Sequence, residues 1–166
     1  MKDSADSSGG VMRLWTGEVL PEWLDYNGHM TEHRYLQAFG ESSDALYELL
    51  GVDFAAAQDG AYFTLVTQIR HLAEGKLGAR LWSDTEILGY DDKRLHLYHR
   101  LFDGAGRLLA TGEHLTIHVR ASKACSAPDN KLAKIAALFA PRHRMAVPEG
   151  AGSILTRALA HSRPGA

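Results

Sequence analysis

The segment best suited to chemistry is the stretch from Pro21 to Met30, PEWLDYNGHM, which leads directly into a strongly helical run. Asp25 supplies a carboxylate, Asn27 an amide, and Gly28 a residue that turns the chain readily. The start of the following helix offers backbone N–H groups without intrahelical partners and the positive end of the helix dipole. A carboxylate beside such donors suits acyl transfer, in which one group attacks or activates water and the other binds the oxyanion. The same residues also fit a helix-capping turn without any chemistry.

The bulk composition limits the classes of protein that remain. The chain has 166 residues, a net charge of −2 and a single cysteine, Cys125. This length suggests one domain, the charge gives no basic footprint for nucleic acid, and one cysteine excludes an internal disulfide. Because no apolar run approaches the length of a membrane span, we expect no membrane partner. Residues 1–10 indicate a disordered tail rather than a signal peptide, and we expect a cytoplasmic location.

The hydrophobic pattern predicts an α+β domain. Apolar residues recur at helical spacing from Thr31 to Leu50, and Gly51 is a typical C-terminal stop. One strand precedes this helix and four follow it, and a sheet with one apolar face can bury that face against the helix. We place the domain at residues 11–121, with a short helix (130–139) and a loosely packed tail within residues 122–166. The predicted strands are Arg13–Leu20, Ala61–Ala73, Ala79–Tyr90, Arg94–Phe102 and Arg107–Arg120.

Polar residues elsewhere in the chain give weaker signals. His99 and Glu113 interrupt otherwise apolar strand faces on consecutive strands that we predict to pair. Because buried polar groups need partners, they are expected to bond to each other or to line a cavity beneath the helix N-terminus. Two pairs among the nine histidines are four residues apart, His29 with His33 and His114 with His118, but neither pair has a third acidic or histidine ligand nearby, so we expect no metal site. The motifs of serine hydrolases, kinases and dinucleotide-binding dehydrogenases do not occur.

Aromatic residues are frequent around the motif. Most are expected to fill the core or an interface, whereas a subset could form a box for an apolar or quaternary ammonium group. These residues are Trp15, Trp23, Tyr26, Tyr35, Tyr62 and Trp82.

The order of strand, motif turn, long helix and four-stranded sheet resembles the hotdog-fold acyl-CoA thioesterases related to 4-hydroxybenzoyl-CoA thioesterase. The runs 21–37, 93–99 and 109–113 are further similar to the betainyl-CoA thioesterases of bacterial carnitine breakdown. The resemblance covers about residues 14–119. It implies a hotdog fold, in which a five-stranded antiparallel sheet wraps around one long central helix. It also implies hydrolysis of betainyl-CoA to glycine betaine and CoA, without a cofactor, because coenzyme A is part of the substrate.

The resemblance also assigns roles to individual residues. It implies that Asp25 is the catalytic carboxylate, acting as nucleophile or as general base for water. Backbone N–H groups around Gly28 and His29 would polarise the thioester carbonyl, and Asn27 would orient water or the loop. Glu41 on the helix is a weaker alternative to Asp25. Because sites of this superfamily lie between subunits, we expect a homodimer or homotetramer. The substrate-binding residues that we predict are Trp15, Trp23, Tyr26, Tyr35, Tyr62 and Glu113.

Three alternatives stay open at this point. The chain could be a general thioesterase for short-chain or aromatic acyl-CoA substrates. Hotdog enoyl-CoA hydratases place Asp and His near the helix with four residues between them, whereas Asp25 and His29 are separated by three. A non-catalytic acyl-CoA-binding module would not need the carboxylate of Asp25. Gln68 and His71 depart from the family pattern, which leaves the substrate contacts of their strand open.

Overall fold

The computed structural model describes residues 7–55 and 59–152, and their main element is one antiparallel sheet. The strands are β1 (Ser7–Ser8), β2 (Val11–Glu18), β3 (Ala61–His71), β4 (Arg80–Tyr90), β5 (Arg94–Asp103), β6 (Leu108–Arg120) and β7 (Lys123–Ala124). They follow the order β1-β2-β4-β5-β6-β3 in the sheet, with β7 beside β6. Helix α1 (Glu32–Leu50) follows β2, and helix α2 (Asp129–Arg142) follows β7.

This architecture agrees with the predicted α+β class and antiparallel sheet. We predicted five strands, whereas the described residues form seven, of which β1 and β7 have two residues each. The second helix is also longer than expected and continues through Pro141 to Arg142.

Helix α1 has clear boundaries and a buried face. It begins after Thr31, which has an extended backbone, and ends at Gly51, whose φ of 87° is the left-handed conformation that glycine adopts readily. Phe39 and Leu46 are fully buried and each belongs to a different cluster of the core. Gly112 on β6 makes room for Phe39, since an added Cβ would lie 2.6 Å from its ring. Burial of each large apolar side chain contributes about 1.5–3 kcal/mol and holds α1 on the sheet.

The strand register corrects the face predicted for Glu113. Glu113 lies opposite Tyr98, whereas His99 lies opposite Gly112. Because neighbouring residues of a strand alternate between faces, His99 points towards α1 and Glu113 points away from it. The expected bond between the two is therefore wrong, and Glu113 instead lies 2.6 Å from Nε2 of His96. Both faces of β5 and β6 are largely buried, so polarity alone could not identify the side that faces the helix.

His99 is held from both sides beneath α1. Its Nε2 lies 3.1 Å from Oγ of Ser43, and its Nδ1 lies 3.0 Å from Oγ1 of Thr85. The side chain is fully buried, and burial lowers its pKa well below the ordinary value. His99 is therefore a neutral core residue with two hydroxyl partners.

Two described segments near the ends of the chain are ordered where we expected tails. Residues 7–10 belong to a hairpin with β2 rather than to a disordered tail. At the other end, the buried Arg142 forms an ion pair with Glu86 on the face of the sheet away from α1. The backbone N–H of Gly152 donates to Oε1 of Glu113 at 2.8 Å, which ties the following segment to the same face. The predicted tails also include residues 1–6 and 153–166, which lie outside the described residues.

Within the described ranges, neither helix combines the length and the apolar character that crossing a membrane requires.

Candidate functional site

The motif closes a tight turn around the carboxylate of Asp25. Its Oδ1 accepts the backbone N–H of Asn27 at 2.8 Å and that of His29 at 3.1 Å. The backbone N–H of Asp25 donates to the carbonyl of His29 at 2.8 Å, and that of Gly28 donates to the carbonyl of Asp25 at 3.0 Å. Gly28 has a φ of 76°, where a side chain would be strained, and this explains the glycine in the motif.

These hydrogen bonds also set the charge of the site. The pKa of Asp25 is lowered from its ordinary value, chiefly because its carboxylate accepts the backbone N–H of His29. Asp25 is therefore ionised at neutral pH. Because both backbone bonds go to Oδ1, the other oxygen keeps electron pairs that could attack a carbonyl carbon or accept a proton from water.

A second loop, residues 73–75, is fixed against the turn by the buried side chain of Tyr35. The Tyr35 hydroxyl accepts the N–H of Gly75 at 3.0 Å and donates to the carbonyl of Ala73 at 3.3 Å. The carbonyl of Gly75 accepts the N–H of Met30 at 2.9 Å. Burial is the main cause that raises the pKa of Tyr35, so its hydroxyl stays protonated and can make both bonds.

The loop also meets the turn through side-chain contacts. Nε2 of His29 lies 3.2 Å from Oε2 of Glu74. The ring of His71, at the end of β3, packs edge-on against that of Tyr35 with 4.8 Å between centroids. Helix, turn and loop therefore form three sides of one concavity.

This concavity is a pocket of about 430 Å³. Four residues that sequence analysis predicted for the site line it: Asp25, Asn27, His29 and Tyr35. The other six lining residues were not predicted for the site: Met30, Glu32, His71, Leu72, Ala73 and Glu74. Their proximity depends on where β3 ends relative to the motif turn, which no local pattern reports. In the described part of the chain, no three His, Cys, Asp or Glu residues lie close enough together to hold a metal ion.

The other aromatic residues that we predicted for substrate binding lie outside this lining in the described chain. Tyr26 is almost fully exposed at 97%, whereas Trp23 is buried beneath the guanidinium of Arg34, 5.3 Å from its ring. Tyr62 stacks on Tyr47 in the cluster around Leu46, with 5.2 Å between ring centroids.

Trp15 and Glu41 are hydrogen-bonded to each other. Nε1 of Trp15 donates to Oε2 of Glu41 at 2.5 Å, and Nε2 of Gln37 donates to Oε1 at 2.7 Å. Neither Glu41 nor Glu113, which faces away from α1, lines the pocket that contains Asp25. The geometry thus favours Asp25 over Glu41 as the reactive carboxylate.

The donors available for an oxyanion differ from those first expected. The N–H groups of Gly28 and His29 are already bonded within the turn. Glu32, the first residue of α1, lines the pocket, and the side chain of Thr31, the N-cap residue, makes no capping hydrogen bond to the helix backbone. Since N–H groups in a first helical turn have no intrahelical acceptor, the N–H of Glu32 is a further candidate donor.

Comparisons with known proteins identify the family. Residues 19–137 match the model of the thioesterase-like superfamily. The L-carnitine dehydrogenase/betainyl-CoA thioesterase of Rhizobium meliloti is 45% identical over 153 residues, which are 90% of this chain and 31% of that protein. This chain therefore spans about a third of that relative. A betainyl-CoA thioesterase of Pseudomonas aeruginosa is 39% identical over 150 residues, 87% of this chain and 94% of that protein.

Solved structures show the same fold. A candidate thioesterase from Pseudomonas putida KT2440 is 32% identical, with a TM-score of 0.75 over 84% of this chain and 92% of that one. The protein SAV2348 from Staphylococcus aureus, solved in complex with CoA, is 25% identical, with a TM-score of 0.76 over 81% of this chain and 88% of that one.

Proposed function

Because the chain belongs to the thioesterase-like superfamily, we propose that it hydrolyses an acyl-CoA thioester and that the acyl group is betainyl. The observation that carries this proposal is the ionised carboxylate of Asp25, fixed by two backbone N–H groups at the wall of a pocket. The relatives named for betainyl-CoA thioesterase activity support the choice of acyl group. The reaction consumes one water and yields glycine betaine and CoA.

Two routes use Asp25, and its environment favours one of them. As a nucleophile, the carboxylate attacks the thioester carbon, the CoA thiolate leaves, and water hydrolyses the resulting mixed anhydride. As a general base, it removes a proton from an attacking water. Nucleophilic attack needs only the ionised carboxylate that the lowered pKa secures, whereas a general base also needs a water held between Asp25 and the substrate, so we favour nucleophilic attack. The N–H of Glu32 would stabilise the oxyanion, with Gly28 and His29 shaping the turn.

We further propose the hotdog arrangement, with α1 wrapped by the five long strands, and a homodimer formed through β3. In the described sheet, β3 is a terminal strand that pairs only with β6. It exposes large apolar side chains, including Phe63 at 57% and Leu65 at 54%. An exposed apolar edge favours pairing with another strand. Because β3 ends at His71 beside the pocket, a partner there would border the site.

Thiol release from a panel of acyl-CoA substrates tests the function. We expect betainyl-CoA to give the highest kcat/KM, above acetyl-, butyryl- and benzoyl-CoA. Equal rates across the panel would indicate a general thioesterase instead. Hydration of crotonyl-CoA without thiol release would indicate a hydratase, and binding without turnover would indicate an acyl-CoA-binding module.

A further inference from the structure

We propose that Glu74 and Glu32 select a cationic acyl group at the Asp25 pocket, an inference that rests on the function proposed above. The pocket that holds Asp25 supplies two more carboxylates, from Glu32 and Glu74. Its lining contains no lysine or arginine, and only His29 and His71 could carry a positive charge. The pocket is thus a region of negative charge built around the reactive group.

The backbone around Glu74 is fixed, and its side chain, which is 63% exposed, contacts His29. Its Oε2 lies 3.2 Å from Nε2 of His29, and the flanking residues Ala73 and Gly75 are bonded to the Tyr35 hydroxyl. Arg107 contacts the backbone of Glu74, since its Nη2 donates to the Glu74 carbonyl at 3.0 Å. Arg107 also forms an ion pair with Asp103 at 3.0 Å, which offsets its charge.

The chemistry of a quaternary ammonium explains why carboxylates are needed. Such a group neither donates nor accepts a hydrogen bond, so a protein recognises it through aromatic faces or negative charge. Tyr35 is the only Phe, Tyr or Trp in the described lining, and it is buried. Negative charge is therefore the recognition device that this pocket offers.

The same charge also acts on the reaction. Three carboxylates around a thioester disfavour the negative charge that develops on its carbonyl oxygen. A betainyl group carries its positive charge one methylene from that carbonyl, and so offsets the repulsion in the transition state. A neutral acyl group of the same shape lacks this compensation. Glu74 and Glu32 therefore discriminate in favour of the cation.

The test compares kcat/KM for betainyl-CoA and for 3,3-dimethylbutyryl-CoA, in which carbon replaces the ammonium nitrogen. The variants are Glu74→Gln and Glu32→Gln. The control is Glu22→Gln, which removes the same charge from the exposed start of the motif, outside the pocket lining. We expect each pocket variant to lower the preference for betainyl-CoA about tenfold, as one partly screened charge contact would, and the control to preserve it within twofold.

The outcomes separate this inference from the function on which it rests. If the wild-type protein does not prefer betainyl-CoA over the neutral isostere, the proposed substrate itself is wrong. If the wild-type preference is present but survives in both pocket variants, or if both substrates slow equally, the role of Glu74 and Glu32 is refuted. Thermal unfolding of each variant within a few degrees of the wild type excludes loss of fold as the cause.

Discussion

Acidification should destabilise the protein through His114, a histidine buried between α1 and the sheet. Its side chain is 3% exposed, its ring lies 4.9 Å from that of His99, and its Nε2 has no hydrogen-bond partner in the described chain. Burial lowers its pKa to about 4. In the unfolded chain a histidine titrates at about 6.5.

The size of the destabilisation follows from the difference between the pKa of His114 in the folded and in the unfolded chain. Between pH 6.5 and pH 4 the unfolded state binds a proton that the folded state does not, so the free energy of unfolding falls as the pH falls. Above about pH 6.5 His114 is neutral in both the folded and the unfolded state, so its burial then causes no loss of stability. The expected loss is about 2 kcal/mol by pH 5 and about 3 kcal/mol below pH 4. His99, whose pKa is also lowered by burial, acts in the same direction.

Urea unfolding near pH 7.5 and near pH 5 measures this loss. We expect His114→Leu, an apolar side chain of similar size, to reduce the difference between the two pH values by about 2 kcal/mol. The matched control is His33→Leu, which replaces an exposed histidine and should leave that difference unchanged. If His114→Leu unfolds with the same pH dependence as the wild type, His114 does not titrate as its burial indicates.

Three further predictions concern the site and the assembly. During turnover of betainyl-CoA, borohydride should reduce the mixed anhydride at Asp25 and leave homoserine at that position, as mass spectrometry of the peptide detects; a peptide that keeps Asp25 unchanged would indicate a general base. Light scattering should find a wild-type dimer that Leu65→Glu converts to monomer, because the charge would enter the apolar edge of β3; a wild-type monomer would refute edge pairing. Tyr35→Phe should lower kcat about tenfold and stability by about 1–3 kcal/mol, because the loop at residues 73–75 loses both hydroxyl bonds; unchanged kcat in steady-state kinetics would show that the loop needs no such support.

Local patterns predicted the elements that carry the site. The spacing of apolar residues from Thr31 to Leu50 and the stop at Gly51 correspond to α1, whose bounds are Glu32–Leu50. The combination of Asp25 and Gly28 predicted a turn at the helix start, and the structure has that turn. These features depend on residues close together in sequence, so periodicity and turn chemistry suffice to find them.

Features that depend on register could not be predicted in the same way. Glu113 was assigned to the wrong face because β5 and β6 are buried on both sides, which removes the contrast that alternation normally gives. Glu74 and His71 reach the pocket only because β3 ends beside the motif turn, a contact between distant parts of the chain. Arg142 was expected in a loose tail, but its charge partner Glu86 lies on another strand.

The most direct test of the central claim is the kcat/KM for betainyl-CoA of Asp25→Asn relative to the wild type. Asparagine keeps an oxygen that can accept the N–H groups of Asn27 and His29, so the turn should persist, while the attacking carboxylate is lost. We expect a fall of about 10²- to 10⁴-fold with an unchanged unfolding transition. Activity within twofold of the wild type would contradict the assignment of the reaction to Asp25.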